Sequence, residues 1–251
     1  MRIKENLIEL LNLNYLHYSN KTVSKGSMDI PAICCNTEIY LDFIALYSEK
    51  GLYHKTDRTA VGFFQYDDGF DGKNGWWWAI YYNDEKRLAY FKERFKGVKY
   101  VIIPDYSELG DIHKIENDYR LFRGSIVGLW FMFEIGAVVL PNITFPTKES
   151  CDSAIKRYEG SSVVLFSAKG HMDDPQENKR LRENIRLTVD KMPEIKTIIV
   201  YDVCSTNHAT LDTFSYAVQK GIEIVIPDNT LKSRNIELYR KSHNPRKAVE
   251  K

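Results

Sequence analysis

The chain has 251 residues, of which 43% are hydrophobic and 13% aromatic, a composition that is typical of globular proteins and excludes a disordered chain. The formal net charge of +1 excludes a general attraction to nucleic acid or to anionic membranes, so such partners would need a local patch. Four cysteines without metal-ligand spacing, and an N-terminus without the apolar core of a signal peptide, predict a cytoplasmic protein without disulfides.

The first third of the chain predicts short elements at irregular intervals. In chain order they are a helix over 2–12, an irregular segment over 13–29, a strand over 30–35, a helix over 37–48, a strand over 61–66, a loop over 67–75 and a strand over 76–82. The last of these begins with Trp76, Trp77 and Trp78, which favour a buried aromatic strand over a surface that stacks on nucleic-acid bases.

From residue 84 onward, predicted helices and strands alternate. The helices cover 84–95, 114–134, 147–158, 176–192, 207–219 and 231–241, and the strands cover 98–103, 137–141, 162–167, 196–201 and 222–227. Each strand is a short apolar run followed by small polar residues, which is typical of parallel strands that are buried on both faces. Such alternation predicts right-handed parallel crossovers.

We therefore expect an α/β fold in which repeated β-α units form a parallel sheet, as an irregular or incomplete TIM-like barrel. No linker rich in Pro, Gly or Ser divides the chain, so residues 1–251 are predicted to form a single domain. Its ends would be a helix and irregular segment over 1–29 and a flexible tail over 242–251. The apolar stretch over 126–140 is too short to span a membrane and contains Glu134, so no membrane association is predicted.

Three aspartates follow buried strands and are the candidate catalytic residues. They are Asp105, Asp202 and Asp228. Because the sites of parallel α/β proteins lie at the C-terminal ends of the strands, these carboxylates could converge there and carry out acid–base chemistry. The structural alternative is that they cap helices and form turns, which suits Asp228 in the segment Pro-Asp-Asn-Thr.

The candidate ligand-binding residues lie in the same loops and at the helix starts that follow them. They are Tyr106, Asp111, Arg120, Asn142 and Lys169. Arg120 could hold a phosphate or carboxylate through a two-pronged contact, or could form a salt bridge to Asp105 or Asp111 that fixes the loop. Lys169 could meet an anion at the start of the next helix. We expect Asp105 to line a concave site with Arg120 or Asp111.

Metal binding, nucleophilic catalysis and a basic tail receive weaker support. His113, His171 and His208 follow strands but form no local pair with metal-ligand spacing, so neither a metal nor a cofactor is predicted. Cys204 has no identified base beside it in the sequence. Lysines and arginines over 232–251 form a stripe that could contact nucleic-acid phosphates or could belong to a solvated terminal helix.

The block from Trp76 to Phe145 carries a recognisable combination of motifs. It comprises Val101-Ile-Ile-Pro-Asp-Tyr-Ser107, Gly110-Asp111, Asn117-Asp-Tyr-Arg120, Gly128, Trp130 and Val139-Leu-Pro-Asn142. This block resembles the family called domain of unknown function 4417, and the resemblance extends over about residues 60–230. It implies an origin in a phage or another mobile element, and brings no known activity. The Asp-Asp pair with which that family closes the preceding strand corresponds here to Ile80–Asp84, where it is shifted or partly replaced.

Three functions are compatible with these residues. The first is a mobile-element protein that binds a nucleotide or nucleic acid at the C-terminal rim of its strands. The second is a carboxylate-dependent enzyme, a hydrolase or a base-modifying transferase, at the same rim. The third is a protein-binding inhibitor of a host factor. A pocket with convergent carboxylates would favour the enzyme, a basic groove the nucleic acid, and an exposed aromatic patch the protein partner.

Overall fold

The computed structural model describes residues 5–104 and 106–243. The candidate catalytic residue Asp105 and most of the predicted tail lie outside the described residues. The described helices are α1 (Glu5–Leu10), α2 (Leu16–Ser19), α3 (Asp68–Asp71), α4 (Trp76–Tyr81), α5 (Glu85–Arg94), α6 (Lys114–Trp130), α7 (Cys151–Lys156), α8 (Pro175–Lys191), α9 (Asn207–Thr213), α10 (Ser215–Gln219) and α11 (Thr230–His243). Short 3-10 turns cover Lys50–Leu52 and Lys148–Ser150.

Parallel strands form the centre of the protein. An antiparallel pair, β1 (Ser24–Lys25) and β2 (Ile30–Pro31), precedes them. The parallel strands are, in their spatial order, β3 (Phe43–Leu46), β4 (Thr59–Gly62), β5 (Tyr100–Ile102) and β6 (Val138–Leu140) in one sheet, and β7 (Val163–Ser167), β8 (Thr197–Tyr201) and β9 (Glu223–Val225) in another. Every pairing within these two sheets is parallel, so the predicted α/β fold with parallel strands is confirmed.

Successive residues of the parallel strands contribute to two different apolar clusters. One cluster includes Ile44, Ala60, Ile102, Leu140, Leu165 and Ile199. The other includes Ala45, Val61, Val101, Val139, Val164 and Ile198, together with apolar residues of the helices. Because side chains alternate along a strand, each of these strands is buried on both faces. Full burial of each large aliphatic side chain contributes roughly 1.5–3 kcal/mol.

Isolated bridges connect the two sheets at their edges. Phe43 pairs with Asp228 and Asn142 pairs with Leu165, both in the parallel sense. The amide of Ile44 donates to the Asp228 carbonyl at 2.8 Å, and the amide of Leu165 donates to the Pro141 carbonyl at 2.7 Å. Two of the candidate site residues, Asp228 and Asn142, therefore also take part in backbone pairing.

Helix α6 packs closely on the residues that follow β2 and β5. A Cβ atom at Gly128 would lie 2.6 Å from Cδ1 of Ile33 and 3.3 Å from Cγ1 of Ile103, so the absence of a side chain allows the approach. The chain continues through a π-helical turn, Phe131–Ile135, to Gly136, whose φ of 72° is the left-handed conformation that glycine adopts readily. Among the described helices, none combines the length and apolarity that crossing a bilayer requires.

Several predictions for the first third of the chain are wrong. The segment 37–48 contains strand β3 rather than a helix, because a run as short as Phe43–Leu46 fits a buried strand equally well. The predicted loop over 67–75 contains helix α3. The segment 76–82 contains helix α4 rather than a strand, and Trp76 and Trp77 are buried, so neither ring is exposed for stacking on bases.

Tertiary packing explains why the tryptophan segment is helical. The Trp76 ring stacks on Phe91 with centroids 3.8 Å apart and lies 5.0 Å from the ring of Trp130. These contacts with α5 and α6 override the strand preference of aromatic residues, which itself reflects packing rather than backbone energy. A smaller departure occurs near the C-terminus, where the helix predicted over 207–219 is divided at Phe214 into α9 and α10.

Helix α4 begins where it approaches the backbone of α3 most closely. An added Cβ at Gly75 would lie 2.2 Å from Cα of Asp71 and 2.6 Å from its carbonyl carbon. We expect Gly75→Ala to lower the free energy of unfolding by about 1–3 kcal/mol, because backbone must move to accept the methyl group. Urea denaturation measures this change, with Gly51→Ala as the control because nothing lies within 4 Å of its Cβ. Equal stability of the two variants would contradict the close approach.

Candidate ligand-binding site at the C-terminal ends of the strands

The carboxylate of Asp71 lies at the end of α3, in the connection that follows β4, and its side chain is completely buried. Its Oδ1 accepts from the Trp77 amide at 2.8 Å, and its Oδ2 accepts from the Tyr106 hydroxyl at 2.7 Å. The guanidinium of Arg123 on α6 forms an ion pair with the same Oδ2 atom. Asp71 therefore connects α3 to α4, to the loop after β5 and to α6 through three different partner groups.

The electrostatics of this cluster explain why it needs so many partners. Burial raises the pKa of Asp71, while Arg123 and the hydrogen bonds from Tyr106 and Trp77 oppose that rise. Burial also raises the pKa of Tyr106 strongly, so its hydroxyl remains a donor. The Arg123 guanidinium lies 4.6 Å from the centre of the Tyr106 ring, and this cation–π contact adds to the ion pair.

A second ion pair fixes the loop after β5 next to the first. The amide and hydroxyl of Ser107 donate to Asp67 at 3.1 and 3.0 Å, and Arg120 donates to the same carboxylate at 3.1 Å. The Asn117 side chain bonds both the amide and the carbonyl of Leu109. Arg120 thus forms a loop-fixing salt bridge, as one of the two interpretations of the sequence predicted, but its partner is Asp67.

The structure separates the predicted ligand-binding residues. Tyr106 is only 3% exposed and its hydroxyl is bonded to Asp71. Asp111 is exposed, and Arg120 pairs with Asp67 and Glu116. Asn142 and Lys169 do share a site, because both line a cavity of about 140 Å³ at the C-terminal ends of β6 and β7.

This cavity, which we call the rim cavity, is lined by polar and charged side chains. They include Glu108, Asn142, Ser167, Lys169, His171 and Arg180. Lys169 is exposed and donates to the Phe64 carbonyl at 2.8 Å, while Nδ1 of His171 lies 3.3 Å from Oε2 of Glu177. Arg180 lies 3.3 Å from the same carboxylate and is half exposed. Two cationic side chains, Lys169 after β7 and Arg180 on α8, therefore border the cavity together with His171.

A larger cavity of about 500 Å³ lies between the N-terminal helices and helices α4 and α5. Its walls include Ile8, Leu16, Ile80 and Leu88, and no aspartate, glutamate, lysine or arginine lines it among the residues that the structure describes. Although it is bigger, it has neither the charged groups nor the position at the strand ends that a site for polar chemistry needs. The rim cavity is the better candidate.

Asp202 and Asp228 do not line the rim cavity. Asp202 is buried, accepts from the Cys204 amide at 2.9 Å and lies 3.6 Å from the ammonium of Lys232. Lys232 is 4% exposed and also donates to Asn207 at 2.7 Å, so it does not belong to a solvated basic stripe. Asp228 is exposed, and its backbone pairs with β3. The catalytic roles of these aspartates, and of Asp105, remain predictions.

Of the three histidines considered for zinc, His171 lines the rim cavity, and His113 and His208 are exposed. Within residues 5–104 and 106–243, no group of three or more His, Cys, Asp or Glu side chains has an arrangement that could hold a metal ion.

Comparison with known families is consistent with the resemblance seen in the sequence. A family model described as Domain of unknown function (DUF4417) matches residues 22–217. The chain is a DUF4417 protein. The match begins well before residue 60, where the resemblance was expected to start, and it includes every residue of the rim cavity named above. A comparison with curated proteins gives no match.

The structure also bears on the stretch that the resemblance aligned with an Asp-Asp pair. The stretch Ile80–Asp84 begins in the last turn of α4, so it cannot close the strand that comes before β5. That strand is β4, and Asp67 and Asp68 follow it. Asp67 and Asp71 were missed as partners of Arg120 and Arg123 because the segment 67–75 was predicted to be a loop that leads into a strand.

The buried ion pair predicts that Asp71 contributes much more to the free energy of unfolding than its neighbour Asp67. We expect Asp71→Asn to lower the free energy of unfolding by about 3 kcal/mol, because it leaves the Arg123 charge without its buried partner. Asp67→Asn should cost about 1 kcal/mol or less, because the Asp67–Arg120 pair is partly exposed. Chemical denaturation of both variants tests this, and equal losses would contradict the central role of Asp71.

The thiol of Cys204 is predicted to be unreactive at neutral pH. Burial, assisted by the negative charge of Asp202, raises its pKa to about 11. Because the thiolate is the reactive species, alkylation by iodoacetamide should be slow at pH 7 and should accelerate about tenfold per pH unit up to pH 10. Mass spectrometry can follow each cysteine, with exposed Cys34 as the internal reference. Labelling of Cys204 as fast as Cys34 at pH 7 would contradict this prediction.

Proposed function

We propose that the protein binds a phosphate-bearing ligand, a nucleotide or a nucleic acid, at the C-terminal rim of its strands. The observation that supports this most strongly is the composition of the rim cavity. Lys169, His171 and Arg180 surround a small polar space to which Asn142 and Ser167 contribute from the ends of neighbouring strands. A phosphate group needs such a combination of cations and neutral donors, because its oxygens accept several hydrogen bonds at once.

The individual donors suit this role. Lys169 uses one ammonium proton on the Phe64 carbonyl, which orients the side chain and leaves two donors for a ligand. Arg180 has a planar guanidinium that can bind two phosphate oxygens together. The cavity volume of about 140 Å³ is below the range for drug-sized ligands, so it suits a phosphate group rather than a whole nucleotide.

We further propose that the seven parallel strands close into one barrel, with the rim cavity at its C-terminal mouth. The cluster that includes Ile44, Ile102 and Leu165 would then be the barrel interior. If the register of each strand pair is followed from Phe43 around the seven strands, it arrives at position 220, three residues before β9 begins. The bridge instead pairs Phe43 with Asp228, eight residues further along the chain. An advance of eight residues in one circuit is the shear of TIM barrels, which supports closure.

A carboxylate-dependent enzyme on the same rim is the second candidate. Glu108 favours it, because this residue lines the rim cavity together with Lys169 and Arg180. A carboxylate beside a bound phosphate could act as a general base toward water. Incubation with nucleoside triphosphates, followed by a phosphate-release assay on the wild type and Glu108→Gln, tests this candidate. Release that persists unchanged in the variant would exclude Glu108 as the base.

If an anion binds in the rim cavity, its affinity should depend on Lys169 and Arg180. It should not depend on Arg186, which lies on the same helix as Arg180. We expect Lys169→Gln and Arg180→Gln each to weaken the binding of inorganic phosphate about tenfold or more, since a charge-assisted hydrogen bond is lost. Arg186→Gln is the matched control, because Arg186 is also on α8, pairs with Asp190 and does not line the rim cavity. Isothermal titration calorimetry measures the three dissociation constants.

Two outcomes of this titration would contradict the proposed site. One is a wild-type protein that does not bind phosphate more tightly than about 10 mM, which would be too weak for a dedicated subsite. The other is an equal loss of affinity in Arg186→Gln and Arg180→Gln, which would indicate nonspecific attraction to the positive charges of α8.

A further inference from the structure

The rim cavity continues into a second depression on the outer side of α8, which we call the outer depression. Pro146, Arg180 and Asn184 line both, so the two are adjacent parts of one groove. The outer depression has a volume of about 270 Å³ and adds Lys148 and Lys179 to the wall. Arg180 stands at the boundary, where its guanidinium can reach either side.

Lys179 is the residue that distinguishes the outer depression. Lys148 is 2.5 Å from Glu183, which neutralises much of its charge. Lys179 is exposed on α8 and forms no ion pair with any of the described residues. The groove therefore offers one cluster of cations in the rim cavity and a second, separate cation beside Arg180.

The walls of the groove are held in place before any ligand binds. The side chain of Asn184 on α8 donates to the Phe145 carbonyl at 2.9 Å, which connects the helix to the loop after β6. In that loop Thr147 and Ser150 form a reciprocal capping box at the next helix start. A groove with fixed walls loses little conformational entropy on binding, so added contacts appear directly as affinity.

The aromatic residues of the groove argue against a site that recognises bases. Phe145 and Phe166 line the rim cavity but are only 2% and 1% exposed, so their ring faces are covered by protein. Single-stranded nucleic acids are usually held by exposed aromatic rings on which bases stack. The groove instead presents cationic side chains in two adjacent parts, with Lys169 and Arg180 in the rim cavity and Lys179 in the outer depression.

We propose that the ligand carries two linked phosphates, as in a nucleoside diphosphate or triphosphate, with one phosphate in the rim cavity and the next in the outer depression against Lys179. This inference rests on the proposed function, because the inner phosphate is the one described there. Arg180 contacts both phosphates from the boundary. The ligand is thus recognised by its phosphate chain, and the nucleoside lies outside the groove.

Calorimetric titration with inorganic phosphate, pyrophosphate and ADP tests the second subsite. We expect pyrophosphate and ADP to bind the wild type about tenfold or more tightly than phosphate, since the second phosphate adds charge-assisted contacts. Lys179→Gln should remove that gain and leave phosphate affinity within about twofold of the wild type. Lys196→Gln is the control, because Lys196 is exposed and directly precedes β8, at the opposite end of the strands.

The outcomes separate this inference from the proposed function. Phosphate and pyrophosphate that bind equally would overturn the second subsite and leave the first intact. A loss of the pyrophosphate gain in Lys196→Gln as large as in Lys179→Gln would also overturn it. A wild type that binds none of the three ligands would overturn both proposals. If a twelve-nucleotide oligothymidylate binds more tightly than ADP and pyrophosphate, the ligand is a nucleic-acid backbone, and the proposal of a diphosphate is overturned.

Discussion

The buried carboxylate of Asp71 is the constraint on which the arrangement of the strand-end loops depends. A charge enclosed by protein is tolerated only when partners compensate for its lost hydration, and here they come from three other parts of the chain: Tyr106, Arg123 and the amide of Trp77. Because Tyr106 must reach Asp71, the residues after it are held as well, and Glu108 is presented at the rim cavity. The Asp71–Arg123 ion pair does not line the rim cavity, but it helps to determine the path of the loop after β5 that does.

The sequence predicted the second half of the fold well and the first half poorly, and the difference has a physical cause. Strands such as Val163–Ser167 are flanked by long helices whose apolar stripe is visible, as in α8, so local pattern and tertiary structure agree. Between residues 37 and 82 the elements are short, and β3, β4 and α4 consist mostly of apolar or aromatic residues. There periodicity cannot distinguish strand from helix, and contacts such as Trp76 with Phe91 decide the outcome.

The site was predictable only where its residues directly follow strands. Asn142 and Lys169 were found because each comes within two residues of a strand end, and both line the rim cavity. The same argument applied to Asp202 did not reveal that Lys232, thirty positions away in the sequence, pairs with it in the interior. Arg180 is a helix residue whose position depends on how α8 packs, which a local pattern cannot provide.

The strand ends divide into two regions with different uses of charge. Around β4 and β5, each arginine has a carboxylate partner: Arg123 pairs with Asp71 and Arg120 with Asp67. Paired charges of this kind hold the loops in position, and their electric fields largely cancel, so they attract a charged ligand only weakly. Around β6, β7 and α8 the balance differs, because Lys169 is bonded to a carbonyl and Arg180 shares Glu177 with His171. A neutral acceptor leaves the Lys169 charge intact, which supports the proposal that an anion binds in this second region.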